Sequence, residues 1–236
     1  METPILAVRD LSVSFDSILF LKNVSFSVDP GETVAVVGPN GAGKTLLLKT
    51  LLGLVAYQGT ITWGEHVRLA YVPQKIDADR HLPINLQNLL EAKAHILKLS
   101  AKDVSEVSHT VGLTPKVLET PMGHLSGGQF QKALIAFALL GNPTMILFDE
   151  PTASLDELSE EHIYELMHEL QYDRGITFIL VSHDLSVVYK YATRVLCLNK
   201  EKVCYGSPEE ALTPETLSKL YIAPHKFFHH ISDHHE

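Results

Sequence analysis

Gly38-Pro39-Asn40-Gly41-Ala42-Gly43-Lys44-Thr45 sets three glycines, a lysine and a hydroxyl residue in the spacing G-x-x-x-x-G-K-T. Glycine at 38, 41 and 43 permits backbone angles closed to other residues, so successive N–H groups can turn inward around phosphate oxygens. Lys44 brings a full positive charge to the β and γ phosphates of a nucleotide, and the Thr45 hydroxyl is a ligand for Mg²⁺. The dense negative charge of a nucleoside triphosphate is the chemistry that calls for this set. Its context agrees: Thr33 to Val37 is short, β-branched and apolar without alternation, as in a central parallel strand covered on both faces, and Leu46 to Leu52 turns helical. The helix adds its positive end to the nest of N–H groups.

Further groups belong to the same chemistry. Met145-Ile146-Leu147-Phe148 reads as a second buried strand ending in Asp149-Glu150-Pro151. Carboxylates at the end of an apolar strand are poorly solvated unless a cation meets them, and Mg²⁺ and Lys44 would do so. Asp149 then holds the metal, and Glu150, facing the opposite way on an extended chain, orients or deprotonates an attacking water. Gln74 closes the strand Val67 to Val72 on the carboxyl edge where open α/β sheets bind ligands; its amide oxygen contacts Mg²⁺ or a water there, or else it is a solvated loop residue. Leu125-Ser126-Gly127-Gly128-Gln129 opens a helix running through Leu140, with Ser126 as N-cap and two glycines that let the backbone approach an anion. Ile176 to Val181 is a further buried strand, and His183 follows it on the ligand-facing edge, as a γ-phosphate contact or else as a structural or solvated histidine. Phe15 lies on a strand ahead of the loop, where an aromatic ring either stacks on a purine or joins the core.

The rest of the chain supplies the scaffold. At 236 residues it holds one large or two small domains, and its apolar and charged fractions are ordinary for a soluble globular protein. The longest apolar run, Ala133 to Leu140, is far too short to cross a bilayer, and the first residues lack the basic start of a signal peptide. A net charge of -9 argues against nucleic acid as a partner, since phosphate backbones are held by basic patches. Ile5 to Val8, Val13 to Phe15 and Val24 to Val28 are expected as short strands, followed by Gly59 to Trp63. Residues 85–111 turn helical without strands, and a helix is expected from Glu157 to Tyr172 behind Ser154-Leu155-Asp156. Cys197 and Cys204 flank a hairpin turn at 199–202, across which they can face one another, and are expected as reduced packing thiols, the alternative being a disulfide or metal pair. The fold class is α/β: a P-loop NTPase core with a mainly parallel sheet, an antiparallel N-terminal β layer and a helical subdomain.

In order and spacing, the loop at 38–45, Gln74, the segment 125–129, Asp149-Glu150, Ser154-Leu155-Asp156 and His183 resemble the ATP-binding-cassette ATPases, across nearly the whole chain up to about Tyr221. The resemblance implies a head-to-tail homodimer in which each ATP with its Mg²⁺ lies between one subunit's P-loop and the other's Ser126, Gly127 and Gly128, with Gln129 beside them. It implies Phe15 as the adenine-stacking residue, Gln74 as the lever that senses the γ-phosphate and couples to a transmembrane permease, and Glu150 as the catalytic carboxylate. It further implies Asp156 as a dimer contact beside the nucleotide, His183 as the switch histidine, and a peripheral location on the cytoplasmic face of the membrane. Residues 1–84 and 141–222 would form a RecA-like core, about 85–140 the helical subdomain and 223–236 a His-rich tail. Two positions depart from the pattern: Lys132 and Phe137 stand where arginines are usual, which puts the local salt bridges of that helix in doubt.

The segment Tyr71 to Pro83, with Tyr189 to Tyr191, Val195 to Asn199, Gly206-Ser207-Pro208 and Leu212 to Glu215, is similar to zinc and manganese importer ATPases. Relatives that import chelated iron or cobalamin tend to carry Gly-Arg-x-Pro after the glutamine, which this chain lacks. The expected activity is therefore ATP hydrolysis powering import of a divalent metal ion, delivered to the permease by an extracytoplasmic metal-binding protein. The alternatives are an importer ATPase for iron or metal chelates and a soluble cassette ATPase outside transport. In the tail, His225, His229, His230, His234 and His235, with Asp233 and Glu236, offer i,i+4 pairs suited to Zn²⁺, or else form a disordered polar terminus.

Overall fold

A computed structural model of the chain describes residues 3–74, 84–153 and 155–221. Two antiparallel strands, β1 (Leu6–Phe15) and β2 (Ile18–Val28), meet at Asp16-Ser17, where both residues have positive φ, the backbone of a tight hairpin turn. β1 is continuous where two separate strands were expected from its polar break. The break is a bulge instead: Asp10 turns to φ 51°, the register shifts between Val8 and Leu11, and the Asp10 N–H donates to Ser25 Oγ at 2.8 Å.

β3 (Thr33–Val37) leads through the glycine loop to α1 (Lys44–Leu51), and β4 (Gln58–Trp63) and β5 (Leu69–Val72) follow. Helices then occupy the chain: α2 (Leu86–Ile96), α3 (Ala101–Thr110), α4 (Pro115–Leu118) and α5 (Gly127–Leu139). Each start is marked in the sequence by a small polar residue. Asn85 accepts from the Asn88 N–H, Ser100 and Asp103 form a reciprocal capping box, and Thr114 caps ahead of Pro115. The hydrogen bonds from Ser100 hold the Asp103 carboxyl below its usual range. Phe137, in a position usually taken by arginine in the resembling proteins, still meets a cation: the Lys93 ammonium of α2 lies 4.1 Å from its ring centroid and donates to the Phe137 carbonyl.

The remaining elements are β6 (Met145–Asp149), α6 (Glu157–Arg174), β7 (Thr177–Val181), α7 (Leu185–Tyr191), β8 (Arg194–Asn199), β9 (Glu201–Gly206), α8 (Pro208–Ala211) and α9 (Pro214–Tyr221). All nine strands of the described residues join one sheet in the order β4-β1-β2-β9-β8-β3-β7-β6-β5. From β8 to β5 the pairing is parallel, whereas β4, β1 and β2 are antiparallel and reach the rest through a single pairing of Lys22 with Glu201.

Burial on both faces explains the unbroken apolar runs. Along β6, Met145 and Leu147 face a core shared with α1 and the antiparallel layer, while Ile146 and Phe148 face one shared with α5 and α6. β7 divides in the same way, Ile179 and Val181 against Phe178 and Leu180. A two-residue period with both sides covered leaves no solvent-facing position.

One expectation is overturned at the hairpin of β8 and β9. Antiparallel register sets Cys197 directly opposite Cys204 with Cα atoms 4.8 Å apart, and the two are joined as a disulfide where separate reduced thiols were expected. Cys197 packs among the residues beneath α8 and α9, so the bridge lies at the rim of a third core.

Core burial predicts a sharp contrast in stability. Phe178→Ala, which removes a fully buried ring 5.7 Å from that of Phe148, should lower the unfolding free energy by about 3–5 kcal/mol in urea titrations. Tyr172→Ala, at a side chain 85% exposed on α6, should change it by less than about 0.5 kcal/mol. Similar losses in the two variants would contradict the assigned core.

Candidate active site

At the carboxyl edge of the parallel strands the loop at 38–45 wraps back into α1. Gly43 caps that helix in the left-handed region, φ 97°, where a side chain is strained, and an added Cβ would press on Leu21 Cδ2 at 2.5 Å. A Cβ on Gly38 would collide with the backbone carbonyl of Leu198. The helix begins at Lys44, which places Lys44, Thr45 and Leu46 in the first turn, where N–H groups have no intrahelical acceptor. Free first-turn donors next to a glycine-rich loop are the elements from which an anion site is built.

Lys44 is almost wholly buried, and its ammonium donates to the carbonyls of Gly38 at 2.9 Å and Pro39 at 3.2 Å. Glu150 Oε1 stands 4.0 Å away. Burial lowers the Lys44 pKa, opposed by the charges of Glu150 and Asp149. The Thr45 hydroxyl donates to Asp149 Oδ1 at 3.0 Å, and Asp149 is itself buried at the end of β6. A hydroxyl and a carboxylate oxygen side by side beneath a phosphate cradle are hard donors of the kind Mg²⁺ takes.

Glu150 does not continue the strand, contrary to the extended chain expected there. β6 ends at Asp149 and Glu150 adopts φ 48°, its N–H donating to the Val181 carbonyl at 3.2 Å. Left-handed backbone is costly for a side chain of this kind and persists where surroundings hold it. Here the turn swings the carboxylate toward Lys44, and Gln74 Nε2 donates to Glu150 Oε2 at 2.8 Å. Gln74 thus meets the second carboxylate through its amide nitrogen.

The other expected residues lie around this centre or apart from it. Phe15 is 47% exposed and packs edge-on against Phe20 with ring centroids 5.4 Å apart; the Phe20 carbonyl in turn adjoins Gly43. An exposed aromatic pair therefore borders the phosphate loop, with Phe15 outside the core. His183 is exposed two residues beyond Val181, which pairs with Asp149. Ser126 caps α5 as expected, in a reciprocal box with Gln129, and Ser126, Gly128 and Gln129 border a groove shared with Thr114, Lys132 and Ser159. No residue of the loop at 38–45 lines that groove. Asp156 spends its carboxylate on α6, accepting from the Ser159 N–H at 2.9 Å and the Ser159 hydroxyl at 2.8 Å. Ser154, the segment 75–83 and the histidines of the tail lie outside the described residues.

Two contributors escape motif reading. The Lys200 N–H, in the turn between β8 and β9, donates to the Ala42 carbonyl at 3.0 Å and braces the loop from a distant part of the chain. The Tyr71 hydroxyl donates to Asp149 Oδ2 at 3.2 Å, and burial, with the Asp149 charge behind it, raises the Tyr71 pKa to about 12. A tyrosine in an otherwise aliphatic strand, three residues before Gln74, was the available signal for the second.

Comparison with known proteins agrees with this geometry. The family model for the ABC transporter matches residues 21–153. A manganese transport system ATP-binding protein of Halalkalibacterium halodurans is 39% identical over 232 residues, covering 92% of each chain. A zinc import ATP-binding protein of Rickettsia conorii is 35% identical over 99% of each. A solved structure from Clostridium perfringens, part of an ABC transporter complex, superposes with TM-score 0.78 at 25% identity, covering 92% of this chain and 94% of that one. Matched through both its phosphate loop and its buried carboxylates, and alike along nearly its whole length to such proteins, the chain belongs to the ABC transporter family.

Proposed function

We propose that the chain is the ATP-hydrolysing subunit that powers an importer for a divalent metal ion, zinc or manganese. The observation that carries the catalytic half is the convergence of Lys44, Thr45, Asp149, Glu150 and Gln74 within hydrogen-bond or ion-pair reach at one sheet edge. The cargo half rests on the relatives, which are named for manganese transport and zinc import.

In this reading the loop amides of residues 38–43 and the Lys44 ammonium hold the β and γ phosphates of ATP, and the Phe15 ring takes the adenine. Thr45 and Asp149 would hold Mg²⁺, with Gln74 beside them. The chemistry such an ion would supply is neutralisation of the charge that develops during phosphoryl transfer. Glu150 orients and deprotonates the attacking water, and His183 contacts the γ-phosphate. Lys44 is held beside the loop and near Glu150 by its bonds to the Gly38 and Pro39 carbonyls, which phosphate oxygens would replace on binding.

The groove beside Ser126, Gly128 and Gln129 lies apart from the P-loop, which fits a head-to-tail dimer in which each subunit completes the other's nucleotide site. Asp156, capping the helix that follows the second carboxylate segment, would stand at that interface. Residues 85–140 would move as a helical subdomain against the core of 1–84 and 141–222. Closure of the dimer on ATP and reopening after hydrolysis would drive the permease, with Gln74 passing the signal. None of the described helices is long and apolar enough to cross a membrane, consistent with a subunit attached to the cytoplasmic face through its permease.

Two substitutions test the roles. Lys44→Ala should lower kcat for ATP hydrolysis by about 100-fold or more, because a buried charge aimed at the phosphates is lost; phosphate-release assays with near-parental turnover would remove Lys44 from the site. Glu150→Gln should retain ATP affinity, abolish turnover and shift the protein to a dimer on size-exclusion chromatography in the presence of ATP. Hydrolysis at the parental rate in that variant would exclude Glu150 as the base.

A further inference from the structure

Both oxygens of the Asp149 carboxylate are used, and by different parts of the chain. Oδ1 accepts from the Thr45 hydroxyl at 3.0 Å and Oδ2 from the Tyr71 hydroxyl at 3.2 Å. Asp149 is 3% exposed, so protein donors stand where solvent would otherwise complete its hydrogen bonds. Tyr71 is well placed to be rigid. It sits in β5, in register with Leu147 of β6, and its ring packs against the core that also holds Met145 and Leu147.

We infer that Tyr71 is a positioning residue for the metal-binding carboxylate: its hydroxyl holds Oδ2 of Asp149 so that Oδ1 stays turned toward Thr45. The inference rests on the reading of Thr45 and Asp149 as Mg²⁺ ligands. A carboxylate held on one side only can rotate about its terminal torsion, which is broad and two-fold. Partners that orient a ligating carboxylate are worth about 10–100-fold in metal affinity. The same short segment ends in Gln74, whose amide grips Glu150, so one edge strand and the three residues after its tyrosine contact both acids of the site. Movement of that segment would reach the metal ligand and the base together.

Tyr71→Phe isolates the hydroxyl, because phenylalanine keeps the ring in its packing. The experiment uses the full chain with Mn²⁺ as a paramagnetic probe, titrated in the presence of a non-hydrolysable ATP analogue and read by electron paramagnetic resonance. A fluorescent ATP analogue in EDTA reports metal-free nucleotide binding. Tyr71→Phe should leave binding in EDTA unchanged and weaken Mn²⁺ binding by about 10-fold. In an Asp149→Asn background the same substitution should add less than about a twofold change, as expected of groups acting as one unit. Parental Mn²⁺ affinity in Tyr71→Phe would overturn the assignment. So would an equal loss of nucleotide binding in EDTA, which a merely structural tyrosine would produce, or a full tenfold effect on top of Asp149→Asn. Unchanged Mn²⁺ affinity in Asp149→Asn alone would instead overturn the reading of Asp149 as a ligand.

Discussion

Two neighbouring carboxylates at the end of a strand buried on both faces constitute the constraint around which this molecule is built. Asp149 and Glu150 emerge from β6 where water is scarce, and an isolated charge there would be strongly disfavoured. Each acid is met by separate groups: Thr45 and Tyr71 on Asp149, Gln74 and the Lys44 ammonium on Glu150. The cation that balances them is itself nearly buried, with its hydrogen bonds spent on loop carbonyls. A set of this kind adds little net stability, because desolvation offsets most of the attraction. In the proposed reading its value is in holding charge ready for the phosphates of ATP.

The sheet delivers these groups to one edge. Parallel strands β3, β6 and β7 lie side by side with β5 outside β6, so their carboxyl ends present the loop at 38–45, the acids, Gln74 and His183 together. The alternation of each strand between two cores makes that edge stiff, since neither face is free to shift into solvent. Even so, the loop does not stand alone. The Leu198 carbonyl leaves no room for a side chain at Gly38, and Lys200 in the next turn donates to Ala42, so a hairpin near the end of the described chain holds the loop near its beginning. The disulfide of Cys197 and Cys204 lies across that hairpin.

The Ser126 region is organised differently. Its glycines open α5 at a groove shared with Lys132 and Ser159, and within one chain this helix end is devoted to its own capping box. In that box the Gln129 N–H donates to Ser126 Oγ while the Gln129 amide oxygen accepts from the Ser126 N–H.

Local patterns made much of this legible. Glycine spacing, β-branched runs and small polar caps each act within a few residues, and β3, α5 with its Ser126 cap and the strand before Asp149 stand where those signals place them. The bulge at Asp10 and the left-handed turn at Glu150 were not readable in that way, and for Cys197 and Cys204 the hairpin turn was legible but the exact register that bonds them was not. Each depends on partners distant in the chain or on register, such as Ser25 for Asp10 and Val181 for Glu150. Tyr71 is the plainest case. Its sequence neighbours mark it as a residue of a buried strand, and only the packing of β5 beside β6 brings its hydroxyl to Asp149. Residue type and spacing thus determined which chemistry the chain carries, while the tertiary fold decided which oxygen meets which donor, because hydrogen bonds act over about 3 Å and spacing along the chain carries no such distance.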